Sequence, residues 1–150
     1  MNAPRETNLL RVDINQAVES NLFDRAIPVG TDEALALLMD AKRDAESNNS
    51  EITSSIAKCY DWLDRLPHLG DFEAVRNSLT MTEDDMMQLH PLEIAQILTL
   101  LPHSPAEAEM LITSLKRFHE LGGADAIREK MEQACQLIAA NITKTDFDEF

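Results

Sequence analysis

Apolar residues recur at three- and four-residue spacing through most of this chain, the period of helices that bury one face. The clearest stretch runs from Leu89 to Leu115. Ile94, Ile97, Leu98 and Leu101 form one stripe, and Ala108, Leu111, Ile112 and Leu115 form a second. Pro91 fits a first helical position, where a missing N–H costs nothing. It also pushes His90 out of the helical region. Pro102 stops that helix. Ser104 caps the next, Pro105 takes its first position, and Glu107 can reach back to the Ser104 N–H to complete a capping box. Neither stripe is stable in water, so the two short helices must pack together. Leu98, Leu111 and Leu115 are assigned to the core, where Leu→Ala costs about 2–5 kcal/mol.

Upstream, the pattern predicts a helix from Thr31 to Glu46, capped by Thr31, with Asp32 and Glu33 in its first turn and a stripe of Leu35, Leu38, Met39 and Lys42. After the polar loop Ser47 to Ser50, a second helix is expected from Glu51 to Leu66, with Ile52, Ile56, Cys59, Tyr60, Leu63 and Leu66 on one face. Trp62 lies off that stripe. A half-buried structural role is expected for it, since Trp is highly buried on average; a partner contact is the alternative. Pro67 ends the helix and His68-Leu69-Gly70 reads as a turn. Asp71 then starts a short helix through Phe72, Val75 and Leu79, and a further short helix is expected over Thr82 to Leu89, carrying Met86 and Met87. Gly122-Gly123 breaks the chain. The last helix runs from Asp125 to about Ile142, with Ile127, Met131, Ala134, Cys135, Ile138 and Ile142 on one face. Before Gly30 the spacing fits neither period well. A short helix around Asn15 to Leu22 is an option, and Ile27-Pro28-Val29 suits an extended edge segment; the alternative is a frayed terminus. The expected fold is all-α: residues 1–30 an arm, 31–66 a long helical hairpin, 67–143 a compact bundle and 144–150 an acidic tail.

Composition narrows the function. The 150 residues are 44% hydrophobic but only 5% aromatic, so Leu, Ile, Ala and Met must fill the core. The formal net charge of −14 sets the chain against phosphate backbones and favours a basic or polar partner. Lys42-Arg43 and Lys116-Arg117 are isolated pairs near helix ends, where cations complement the dipole. Cys59 and Cys135 both fall on stripes and are expected as buried free thiols in a reducing compartment. No secretory leader and no run of membrane-spanning length is read.

Catalytic chemistry finds little purchase. His68, His90, His103 and His119 are scattered, without ligand spacing for zinc. There is no nucleophile elbow and no cysteine-enzyme context. The four glycines build no phosphate cradle. Acidic clusters such as Glu83-Asp84-Asp85 follow from 27 acidic residues and read as a solvated face. No catalytic residue, cofactor or metal ligand is assigned.

The ordered strings Leu89-His90-Pro91-Leu92-Glu93-Ile94-Ala95-Gln96, Pro105-Ala106-Glu107-Ala108-Glu109, and Leu111-Ile112 with Ser114-Leu115 resemble the signature of the smaller stalk subunit of RNA polymerase II, a family with archaeal counterparts. Asp32 to Glu46 is similar to that family's first long helix and Ile56 to Leu79 to its middle segment. Together the likeness spans about Gly30 to Ile138. Thr113 stands where the family usually has Pro, and Ile97 occupies the last apolar slot of the first motif.

The resemblance implies a helical bundle whose C-terminal half is like the helicase-associated (HRDC-like) domains. It further implies a non-catalytic nuclear subunit. Such a subunit forms a stalk heterodimer with an OB-fold subunit, attaches to the polymerase core, acts in transcription initiation and helps recruit transcript-associated factors. The arm would pack on that partner, and the acidic chain itself would bind little nucleic acid and no membrane. Partner contacts are expected at Leu22, Phe23, Ile27 and Val29 in the arm and at Leu37 on the first helix. Leu89 and Leu92 beside the signature are further candidates, with the core the stronger alternative for Leu89. Two readings compete: the equivalent stalk subunit of RNA polymerase III, and a free-standing HRDC-like module that binds nucleic acid directly.

Overall fold

A computed structural model of the chain describes residues 26–80 and 88–143. The expected helix at Asn15 to Leu22, most of the one at Thr82 to Leu89, the partner candidates Leu22 and Phe23, and the acidic tail lie outside the described residues.

The class is all-α. Among the described residues seven α-helices succeed one another: α1 (Thr31–Ser47), α2 (Ser54–Asp64), α3 (Phe72–Thr80), α4 (Pro91–Leu100), α5 (Pro105–Leu111), α6 (Arg117–Glu120) and α7 (Ala124–Asn141). A 3₁₀ turn, Thr113–Lys116, links α5 to α6. Two short strands, β1 (His68–Leu69) and β2 (Ile142–Thr143), pair antiparallel with His68 opposite Thr143. Among the described residues no helix is long and apolar enough to cross a membrane.

α7 is the spine of the bundle. Ile127, Met131, Ala134 and Ile138 stand on one face at 0–2% exposure and pack against α3, α5 and α6. Val75 and Leu79 come from α3, Ile94, Ile97 and Leu98 from α4, and Ile112, Leu115 and Phe118 from the segment after α5. Burying such side chains contributes roughly 1.5–3 kcal/mol each. β2 ties the end of α7 back to β1, and the Gly70 N–H donates to the Asn141 carbonyl at 2.9 Å.

The α1–α2 hairpin is built differently. α1 buries only Thr31, and α2 buries no residue. Leu35, Leu38, Ile52, Ile56, Tyr60 and Leu63 face the seam half-buried, and the Lys42 ammonium lies 5.3 Å from the Tyr60 ring centre. The hairpin is fastened at its base. The Asp32 carboxylate accepts the Leu69 N–H at 2.8 Å, and Glu33 pairs with Arg76 of α3.

Several expectations change. Gly30, not Thr31, is the N-cap of α1 and provides no side-chain cap; Thr31 is tucked inside. α2 begins later than expected, after Thr53, whose hydroxyl accepts the Ile56 N–H at 3.4 Å. Trp62 is 67% exposed and Cys59 is exposed, because among the described residues α2 packs chiefly on α1 and its other faces are left open. Cys135 is buried, and burial, aided by Glu107 and Glu132, pushes its thiol pKa up. Leu111 is 47% exposed, since α5 stops there and Ile112 leaves helical geometry, so the predicted stripe is cut short. Ile142 leaves α7 for β2, and His68-Leu69 form a strand instead of a turn.

Candidate partner interface

The surface best shaped to receive another molecule lies on α4. Its geometry starts with Glu93, which is fully buried. One carboxylate oxygen accepts the His90 N–H at 2.9 Å, while His90 Nδ1 accepts the Leu92 N–H at 3.1 Å. That makes a capping box centred on His90. The same carboxylate takes the Ser114 hydroxyl at 2.5 Å and two Arg117 N–H groups, and Arg117 also donates to the Ser114 carbonyl at 2.9 Å. The segments His90–Glu93 and Ser114–Arg117 therefore close on a single buried carboxylate. Sequence reasoning placed Arg117 at a helix end for its dipole; its larger role is as the counter-ion of Glu93. The box expected at Ser104 is half made. The Ser104 hydroxyl accepts the Glu107 N–H at 3.2 Å, but the Glu107 carboxylate takes the His103 N–H instead.

With α4 fixed in this way, Ile94, Ile97 and Leu98 face the core, and Leu92, Gln96, Thr99 and Leu100 are left toward the outside. The arm crosses here. Gly30 passes so close that a Cβ on it would sit 2.6 Å from Leu98 Cβ, a distance that real Cβ atoms do not tolerate. A side chain at residue 30 would lift the arm from the helix.

Between arm and helix runs a groove of about 500 Å³, lined by Ala26, Pro28, Val29, Leu92, Ala95, Gln96, Thr99 and Leu100. Its walls are apolar apart from Gln96 and Thr99. Gln96 Oε1 is a buried acceptor without a hydrogen-bond partner among the described residues, a state that costs about 1–3 kcal/mol. Ile27 stands beside the groove at 89% exposure, with Val29 at 37% and Leu100 at 45%.

Of the sequence-proposed partner residues, Val29 and Leu92 line this groove and Ile27 adjoins it. Leu37 is exposed on α1 and is not among the groove residues. Leu89 is 7% exposed and part of the core, the stronger of the two roles expected for it. Leu100 was missed. Its signal was present, because a leucine off the stripe of Ile94, Ile97, Leu98 and Leu101 must point outward.

A second depression, about 250 Å³, is lined by Glu109, His119, Asp125 and Arg128 with Pro105, Ala106 and Ala124. His119 Nε2 is 2.8 Å from Glu109. Two carboxylates and one guanidinium line the depression with that histidine, and no Ser, Thr or Cys is among its lining residues. Among the described residues no group of three His, Cys, Asp or Glu side chains converges on a metal position.

No protein-family model, curated protein or solved structure matches this chain.

Proposed function

We propose that this chain is a non-catalytic subunit of a multisubunit RNA polymerase, the helical half of a stalk heterodimer whose other half carries an OB-fold. The observation that carries the reading is the apolar groove on α4, with Ile27, Val29, Leu92 and Leu100 left in water beside an unpartnered Gln96 carbonyl. Contiguous apolar surface of this kind marks association sites. The hairpin supports the same reading, since Leu37, Met39 and Trp62 are exposed on helices that bury almost nothing of their own.

The resemblance of the His90–Gln96 and Leu111–Leu115 segments selects the partner class, and charge fits the division of labour. At −14 the chain is poorly suited to hold RNA, so the OB-fold subunit faces the transcript and this subunit stabilises it. A stable pair of this kind buries more than about 1,000 Å². The polymerase II assembly is favoured over polymerase III by His90, by Glu93 with Ala95, and by Leu111-Ile112 followed by Ser114-Leu115. On this reading the protein works in the nucleus, in initiation and in recruiting factors that act on the transcript.

The test is affinity purification of the tagged full chain from its own cells, with mass spectrometry of the co-purifying proteins. The expected companions are an OB-fold stalk subunit and the largest polymerase II subunit. Recovery of polymerase III subunits alone would move the assignment, and recovery of no polymerase subunit would overturn it.

A further inference from the structure

At the base of the hairpin one imidazole touches both helices. His68 Nδ1 lies 2.9 Å from Asp32 Oδ1 on α1, and His68 Nε2 lies 2.8 Å from the carbonyl oxygen of Asp64, the last residue of α2. A carboxylate and a carbonyl both accept and neither donates. A neutral imidazole has one N–H and satisfies one of them; an imidazolium has two and satisfies both. We propose that His68 is a proton-operated pin: charged, it ties both hairpin helices to β1, and neutral, it keeps α1 and releases the end of α2.

The asymmetry follows from the partners. A hydrogen bond to a carboxylate is charge-assisted and stronger than one to a carbonyl, so the last ring proton stays on Nδ1 toward Asp32. The Nε2 lone pair then faces the Asp64 oxygen. α1 loses nothing else, because Asp32 Oδ2 still holds the Leu69 N–H at 2.8 Å and Glu33 still holds Arg76. α2 buries no residue, and among the described residues what else holds it is the half-buried seam with α1 and the Lys42–Tyr60 contact, not a polar tie at its end. The element released carries Trp62, whose side chain is among the most exposed apolar ones described.

The charged groups that act on the ring are the Asp32 and Asp64 carboxylates, both negative. β2 contributes only the uncharged Thr143 hydroxyl, which donates to the His68 carbonyl at 3.1 Å. Arg76, on α3, is engaged by Glu33. Burial pulls the ring's pKa down, but the Asp64 carbonyl, the Asp32 hydrogen bond and the two negative charges outweigh it, and the net shift is above the ordinary 6.5. A folded value above the unfolded one means that the pin's contribution is complete below the unfolded pKa and is lost as pH rises through the folded one. The pin operates in the same way whichever partner the chain has.

The experiment is an NMR pH titration of the full chain, labelled with carbon-13 and nitrogen-15. The His68 ring should titrate with a midpoint above 6.5, and the Asp64 carbonyl carbon should shift with the same midpoint. The Leu69 amide should keep its protection throughout. Asp32→Asn should lower the midpoint, and His68→Gln should abolish the Asp64 transition. A midpoint at or below the ordinary value, or an Asp64 carbonyl that ignores the ring, overturns the proposal. So does loss of Leu69 protection together with the Asp64 contact. If His68→Gln does not fold, the wild-type ring and carbonyl curves decide alone.

Discussion

The Glu93 carboxylate has no contact with solvent. A charge buried in this way is tolerable only when its oxygens are fully engaged, and here a backbone N–H, a hydroxyl and a guanidinium engage them. Taking away one partner leaves the remaining charge stranded. Arg117→Ala should therefore destabilise the fold by about 3–5 kcal/mol, far more than an ordinary surface arginine, and urea denaturation would measure it. A loss below about 1 kcal/mol, the range of a surface pair, would show that the pair is dispensable. The arginine also lies over the Phe118 ring at 4.4 Å, so Arg117→Lys, which keeps the charge but loses the two-pronged geometry, should recover only part of the loss. The network was half legible. His90, Glu93 and Ser114 stood out as a pattern, but the pattern gives no hint that Arg117 and Ser114 reach back to the same carboxylate, because that meeting depends on the 3₁₀ turn after α5.

Helices whose stripes face a thick core were easy to place from their period, and those with a thin neighbour were not. α4 and α7 carry their apolar residues where the spacing put them, with proline and glycine marking the starts. Local chemistry failed wherever a tertiary partner competed for the same side chain. Asp32 was assigned to the helix dipole, yet its carboxylate leaves the helix for His68 and Leu69. Glu107 was assigned to Ser104 and turns to His103. Cys59 is expected buried and Trp62 half-buried, and both are exposed, because a stripe says which face is apolar, not how much protein covers it. β1 and β2, two residues each, are too short to have a period at all.

The arm is the element whose position rests on a single absent methyl group. Gly30 has φ −76°, an ordinary angle open to any residue, so its need for glycine is purely one of space beside Leu98. Gly30→Ala should cost about 1–3 kcal/mol through overpacking, seen as a lowered thermal midpoint. It should also displace residues 26–29 from α4, seen as amide shift changes at Gln96 and Thr99. An alanine variant with wild-type melting and unchanged shifts would contradict the close approach.

At the scale of the whole molecule, a well-packed bundle carries a lightly buried hairpin and a greasy groove. The bundle holds its own core, and the hairpin and groove present the apolar surface left over. If that surplus is meant for a partner, a charge placed on it should affect association and not folding. Ile27→Asp should weaken heterodimer formation at least tenfold, a loss of about 1.4 kcal/mol or more, while the circular dichroism spectrum stays as in the wild type. Helix loss in that variant would return Ile27 to a structural role. The groove's residues were partly foreseen: Val29 and Leu92 were named as contact candidates, and Gln96, Thr99 and Leu100 were not. The contribution of Leu37 depends on a partner large enough to touch both α1 and α4.

The most direct measurement is size-exclusion chromatography with light scattering on the full chain co-expressed with the proposed partner, the OB-fold stalk subunit of RNA polymerase II. One peak whose mass is the sum of one copy of each is the predicted result. Two separate monomer peaks at micromolar concentration would contradict the account.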